Sequence, residues 1–211
     1  MTNVLILGAG GQIARHVIGM LDGEQGVALT LFARNTSRLA RVPANATLVQ
    51  GDVLDAARLA KAVKGQDIVY ANLTGEDLDD QADAVIAAMQ SEGVQRLVFV
   101  LSLGIYREIP GKFGEWNEAI IGEDLKRYRR AADAIEASGL DYTILRPAWL
   151  TDEDEVDYET TGRNDPFKGT VVSRKSVADL IVKTIRAPRL HSNANLGANK
   201  PNTDADKPYF M

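Results

Sequence analysis

Gly8, Gly10 and Gly11 stand directly after the apolar run Val4-Leu5-Ile6-Leu7, and Ile13, Val17 and Met20 follow at helical spacing. Four consecutive apolar residues read as a strand buried on both faces, so the segment is strand, glycine turn, helix. The chemistry such a turn offers is anion binding. A helix start carries unpaired N–H groups and a partial positive charge, and a phosphate docks there when no side chain blocks it. Gly8 permits the sharp exit from the strand, Gly10 or Gly11 lets the backbone reach the anion, and Ala14 keeps the helix close to the sheet. Two spacings coexist. Gly8, Gly11 and Ala14 fit glycine-x-x-glycine-x-x-alanine, whereas Gly8 with Gly10 opens a longer dinucleotide fingerprint that wants a small residue at Gln12 or Ile13. The first fits better, and the bland alternative is a turn between two core elements.

Two further positions bear on a dinucleotide. Val27 to Ala33 reads as a second strand, and Arg34 follows it, 23 residues after Gly11, close to the spacing of about 20 at which such folds contact the adenosine ribose. An acid there accepts from both ribose hydroxyls, and an arginine suits a 2′-phosphate. Arg34, with Arg38 one turn later, therefore predicts a preference for NADP over NAD; the alternative is two solvated arginines. In Gly51-Asp52-Val53, Asp52 can accept from the adenine amino group while Val53 packs on the ring. Equally, Asp52 or Asp55 can cap a helix over 56–64.

These residues need a scaffold. Strands are expected at 47–50, 66–71, 95–101 and 141–147, and helices at 82–89 and 119–137. The alternation predicts a Rossmann-type, doubly wound α/β fold: a parallel sheet of about six to seven strands with right-handed crossovers and helices on both faces. Asn72-Leu73-Thr74-Gly75 ends the fourth strand, Ser102 to Tyr106 follows the fifth, and Pro147 closes the sixth. Residues 148–211 form a substrate-side region. Six acids in the eight residues 152–159 read as a solvated loop or lid, since the glycine-kinked spacing of a cation loop is missing. Gly169 to Ser173 reads as a further strand, with Ser173 or Ser176 near the cap of a helix over 177–185; residues 191–211 read as a polar tail.

With 211 residues the chain suits one domain. The absence of cysteine excludes disulfides and thiolate chemistry, and His16 and His191 are too few for a histidine metal centre. A net charge of −5 argues against nucleic acid. No apolar run is long enough to span a membrane and the amino terminus is not signal-like, so a cytoplasmic protein without a metal is expected. The oligomeric state is not legible.

Together, Gly8 to Ala14, Arg34, Gly51-Asp52-Val53, Ser102, Ser138 to Pro147 and Ser173-x-x-Ser176-Val177-Ala178-Asp179 resemble the atypical short-chain dehydrogenases of the NmrA-like, NAD(P)H-binding group. Members of that group act as flavin or quinone reductases, epimerase-like enzymes or non-catalytic redox sensors. The resemblance implies that Gly8, Gly10, Gly11, Gln12, Ile13 and Ala14 hold a pyrophosphate and Arg34 the 2′-phosphate. It places Asp52 and Val53 at adenine, Asn72, Leu73 and Ser102 beside the nicotinamide, Pro147 beneath it, and Arg146 as an anchor of the loop below.

The wider superfamily pairs a tyrosine acid with a lysine four residues on, which lowers the phenol's pKa. No tyrosine here passes: Tyr70, Tyr106, Tyr128, Tyr142 and Tyr158 are followed at that distance by Thr74, Pro110, Ala132, Arg146 and Gly162. Tyr128 is expected to pack inward, and Lys126, Arg127, Arg129 and Arg130 to form a solvated face. Without an activated phenol, reduction of a plain ketone loses its proton donor, whereas a flavin or quinone delocalises the incoming charge. The leading expectation is an NADPH-dependent reductase of such a flat, small-molecule electron acceptor, with Ser102 and Tyr106 as hydrogen-bonding groups at the acceptor. The competitor is an NADP(H)-binding sensor that engages a protein partner. A nucleotide-sugar epimerase or dehydratase ranks third, since only 64 residues follow Pro147.

Overall fold

The computed structural model describes residues 1–39 and 41–211, with Arg38 by its backbone alone. The first half runs β1 (Thr2–Leu7), α1 (Gln12–Leu21), β2 (Val27–Ala33), β3 (Thr47–Gln50), α2 (Ala56–Val63), β4 (Ile68–Ala71), α3 (Leu78–Glu92) and β5 (Arg96–Val100). The second runs α4 (Gly111–Ala137), β6 (Asp141–Pro147), β7 (Trp149–Thr151), β8 (Glu159–Thr161), β9 (Val171–Ser173), α5 (Arg174–Arg186) and β10 (Ala194–Asn199). Among the described residues, eight strands form one sheet in the order β3-β2-β1-β4-β5-β6-β10-β8, and β7 pairs with β9 apart from it. Every pairing is parallel except that of β8 with β10. The fold is a Rossmann-type doubly wound sheet, as the alternation required.

The run Val4-Leu5-Ile6-Leu7 is fully buried because both faces of β1 are covered. Val4 and Ile6 join the cluster under α1 and α5; Leu5 and Leu7 join the one under α2, α3 and α4. Helix α1 turns Ile13, Val17, Ile18 and Leu21 onto the sheet, each worth roughly 1.5–3 kcal/mol when fully buried. The chain winds outward from β1 to β3 and then returns to the other side of β1 as β4. That reversal opens a crevice at the carboxyl ends of the strands, between β1 and β4.

Several boundaries differ from the sequence expectation. The stretch 194–199, expected within a polar tail, is strand β10, inserted between β6 and β8. Gly197 is required there, since a Cβ would stand 2.3 Å from Thr161 Oγ1 and 2.7 Å from the Phe167 ring. Helix α4 begins at Gly111 rather than near Ala119, because Phe113 is buried and Trp116 packs on Trp149 with ring centroids 4.8 Å apart. Tertiary packing there overrides the low helix propensity of Gly111 and Gly114. Ser173, not Ser176, caps α5, accepting from Ser176 N; Asp55, not Asp52, caps α2, accepting from Arg58 N.

The acidic segment 152–159 is tethered. Arg174 pairs with Asp152 at 2.9 Å, Lys175 with Asp154 at 2.6 Å, and Lys200 with Glu153 and Glu155 at 3.2 and 2.8 Å. Lys126, Arg127, Arg129 and Arg130 do form an ion-paired outer face, with Glu123, Asp124, Asp133 and Asp79. No helix among the described residues is long and apolar enough to cross a membrane.

Candidate functional site

The turn after β1 is shaped by β4. Gly8 has φ +71°, and a Cβ on it would stand 2.2 Å from the Asn72 carbonyl oxygen. A Cβ on Gly11 would stand 1.9 Å from Asn72 Nδ2. Both glycines are thus demanded by the close approach of the residue that ends β4. Gly10 is different: the nearest atom to its added Cβ would be Leu39 Cδ2 at 3.8 Å. Nothing among the described residues asks for glycine at position 10, where the bare backbone faces the crevice.

That space is a crevice of about 570 Å³. Gly8, Gly10, Gly11, Arg34, Asp52, Val53, Asn72 and Leu73 line it, together with Arg15, Asn35, Thr74, Asp77 and Gln81. Helix α1 opens onto it with no side-chain cap and no acid in its first turn, so its N–H groups and the positive end of its dipole remain available to an anion. A diphosphate fits this cradle: a flat glycine floor, an uncapped helix start and no competing carboxylate on that helix.

Two guanidiniums stand at the other end. Arg34 leaves the tip of β2, its carbonyl accepting from Gln50 Nε2 at 3.1 Å, and Arg15 projects from the first turns of α1. Both side chains are exposed and line the crevice, and neither forms an ion pair among the described residues. Arg15 was missed in the sequence; its signal was its place one residue after the glycine-x-x-glycine-x-x-alanine pattern, on the solvent side of the helix. The expected contribution of Arg38 lies outside the described residues. Asp52 is exposed and its Oδ1 accepts from Leu54 N at 3.0 Å, while Val53 is buried. The Asp77 carboxylate is occupied by Gln81 Nε2 at 2.6 Å.

Other expected residues lie elsewhere. Ile13 faces the core, so only its backbone is available to a ligand, and Gln12 is exposed at the start of α1 without lining the crevice. Ser102 follows β5 half-buried, its hydroxyl donating to Leu103 O at 3.2 Å, and Pro147 is buried at the end of β6; neither is in the lining. Tyr106 is bonded within the protein. Its hydroxyl donates to Glu136 Oε1 at 2.8 Å and accepts from Asn195 Nδ2 at 2.7 Å. The guanidiniums of Arg163 and Arg129 lie over its ring, 4.1 and 4.7 Å from the centroid. Burial pushes its phenol pKa up, and the bond to Glu136 pushes it further. Its hydroxyl is thus engaged within the protein, and the residue is not in the crevice lining.

Arg146 and Glu108 do anchor that loop. The fully buried Arg146 guanidinium donates to Glu108, to Asn195 Oδ1 at 2.7 Å and to Gly162 O at 3.0 Å. The Glu108 carboxylate in turn accepts from Gly104 N and Tyr106 N, both at 2.9 Å. Tyr128 packs partly inward, but its hydroxyl reaches Thr74 Oγ1 at 3.2 Å, on the crevice rim. One tyrosine and lysine do meet: Lys183 Nζ lies 3.1 Å from the Tyr158 hydroxyl. That hydroxyl donates to Asp179, burial raises its pKa, and neither residue lines the crevice.

A family model described as NAD(P)H-binding matches residues 8–188, and the chain belongs to that family, within the atypical, NmrA-like short-chain dehydrogenases and reductases. A solved Rossmann-fold NAD(P)-binding family protein from Shigella flexneri is 60% identical over 100% of both chains, with a TM-score of 0.88. A short-chain dehydrogenase/reductase from Veillonella parvula, solved in complex with NADP, is 25% identical over 99% of both chains, with a TM-score of 0.89. A Bacillus subtilis protein, the uncharacterized sugar epimerase YhfK, is 29% identical over 207 residues, 87% of this chain and 86% of that protein.

Proposed function

We propose that the protein is an NADPH-dependent reductase of a flat, conjugated electron acceptor such as a flavin or quinone. The observation that carries the cofactor half is the pair Arg15 and Arg34, both lining the crevice and both without a carboxylate partner among the described residues. Gly8, Gly10, Gly11 and the start of α1 would hold the diphosphate, Arg34 and Arg15 the 2′-phosphate, Asp52 and Val53 the adenine, and Asn72 and Leu73 the nicotinamide side. Bound NADPH would supply a hydride, two electrons with one proton, and leave as NADP⁺.

The acceptor half rests on the phenols. Tyr70 is buried in the core, Tyr106 is tied to Glu136 and Tyr158 to Asp179. None of these three lines the crevice, and Tyr128, at its rim, meets Thr74 rather than a base; water is the ready source of the second proton, which suits an acceptor that delocalises the charge. The same lack weighs against sugar epimerisation, the reaction in the Bacillus relative's name, which needs a base and acid at the sugar carbon. The test follows nicotinamide absorbance while purified protein is mixed with NADPH and riboflavin, FMN or a quinone. Turnover with at least one acceptor is expected. Tight NADPH binding with no turnover would turn the assignment to a redox sensor.

A further inference from the structure

Beyond the ends of β1 and β4, the next strand end along the sheet is that of β5, and a second recess of about 340 Å³ opens two residues past Ser102. Gly104, Arg107, Ile109, Glu115, Asn117 and Glu118 line it. Asn117 is only 1% exposed. Its Oδ1 is fixed as the acceptor of Trp149 Nε1–H at 2.9 Å, so the amide can turn only its Nδ2 toward Gly104. Gly104, at φ +87°, has to be glycine for this: a Cβ would stand 2.8 Å from that Nδ2. No protein acceptor among the described residues takes the Nδ2 hydrogens. Its hydrogens are therefore open to a group that enters the recess. Arg107 stands at the rim in the left-handed region at φ +58°, exposed and without an ion pair among the described residues. That conformation closes the turn in which Arg107 N donates to Gly104 O at 3.0 Å.

We propose that this recess is the acceptor subsite of the reductase described above, and that it takes an uncharged conjugated carbonyl compound. The proposal rests on that reductase reading. The carbonyl oxygen accepts from Asn117 Nδ2 and from the Arg107 guanidinium, which also draws off charge as the hydride arrives. Glu115 and Glu118 flank the same opening, so its two carboxylates outnumber its one cation. Such a rim opposes a phosphate-bearing acceptor, which makes riboflavin or an uncharged quinone a better partner than FMN.

Riboflavin and FMN are titrated by flavin fluorescence into the NADP⁺-loaded protein, and turnover with NADPH is followed in parallel. Riboflavin is expected to bind more tightly than FMN. Asn117→Asp keeps an oxygen for Trp149 and removes the donor; it should weaken riboflavin about three- to tenfold, the worth of one hydrogen bond, with NADP⁺ affinity unchanged. Arg107→Gly, free of strain at that backbone angle, should act in the same direction, and it decides the matter if Asn117→Asp does not fold. Glu115→Gln with Glu118→Gln should bring FMN toward riboflavin. Failure of riboflavin to bind, or unchanged affinity in both Asn117→Asp and Arg107→Gly, overturns the subsite even where NADPH is consumed. An unchanged FMN-to-riboflavin ratio in the double variant overturns the preference for an uncharged acceptor. Riboflavin bound through Asn117 but never reduced leaves the subsite standing and removes the reductase reading alone.

Discussion

Asn72 stands where a side chain on Gly11 would be: its Nδ2 is 1.9 Å from the position of that missing Cβ. Gly11→Ala must therefore displace the Asn72 side chain, at a cost toward the lower end of the about 1–3 kcal/mol of overpacking. Gly10→Ala has no neighbour closer than 3.8 Å among the described residues and should melt within about 0.5 kcal/mol of wild type. Yet its methyl enters the crevice, so NADPH affinity should fall by at least about tenfold, or 1.4 kcal/mol. Melting curves paired with NADPH titrations separate the two variants, and wild-type affinity in Gly10→Ala would count against a diphosphate on that turn.

Arg34→Ala and Arg15→Ala bear on cofactor choice. A hydrogen bond to a charged group is worth about 1.5–3 kcal/mol, so each should weaken NADPH by roughly one to two orders of magnitude while leaving NADH nearly unchanged. The ratio of the two dissociation constants is the readout. Equal affinities for NADPH and NADH in the wild type would remove the 2′-phosphate role from both arginines.

The Glu108–Arg146 pair should be costly to halve. Glu108→Ala leaves a fully buried guanidinium without its carboxylate and strips the Gly104 and Tyr106 N–H groups of their acceptor. Losing one partner of a buried pair costs about 3–5 kcal/mol, which denaturant unfolding will register. Glu108→Gln, which keeps one oxygen acceptor but turns an amide NH2 toward the other backbone N–H, should lie between wild type and Glu108→Ala.

Glu136 predicts an acid limb. Burial alone would push its carboxyl up, but Arg163, Asn195 and the Tyr106 hydroxyl outweigh that and hold it below its ordinary value of 4.5. The folded state then binds this proton less readily than the unfolded chain. The resulting stability is present above the ordinary value and is lost as pH falls through the lower, folded one. Melting temperatures of wild type and Glu136→Gln should differ at pH 7 and converge as the solution is acidified below the carboxylate range. A constant difference would show that Glu136 stabilises by shape alone.

The strand, turn and helix at residues 2–21 were legible because three independent signals coincide: a fully apolar run, glycines at fixed offsets and helical spacing directly after. Arg34, Asp52 and Asn72 were legible through their places at strand ends, where a parallel sheet gathers residues distant in sequence. What stayed hidden depends on contacts made across the chain. Ala194-Asn195-Leu196-Gly197-Ala198-Asn199 lacks β-branched residues and alternation, yet is a strand because β6 and β8 flank it. Tyr106 looks like a site residue by its position after β5, and only Glu136 and Asn195, 30 and 89 residues away, reveal its hydroxyl as engaged within the protein. Asn117 gave no sequence signal, because its value lies in which of its two amide atoms Trp149 occupies.

The position of β10 bears on how the chain is made. Until residues 194–199 have left the ribosome, β6 presents a bare row of backbone donors and acceptors, and β8 has no strand to lie against. Nascent protein in that interval carries an unpaired edge of the kind that recruits other chains. Closure of the sheet has to wait for six residues, Ala194–Asn199, to emerge from the exit tunnel.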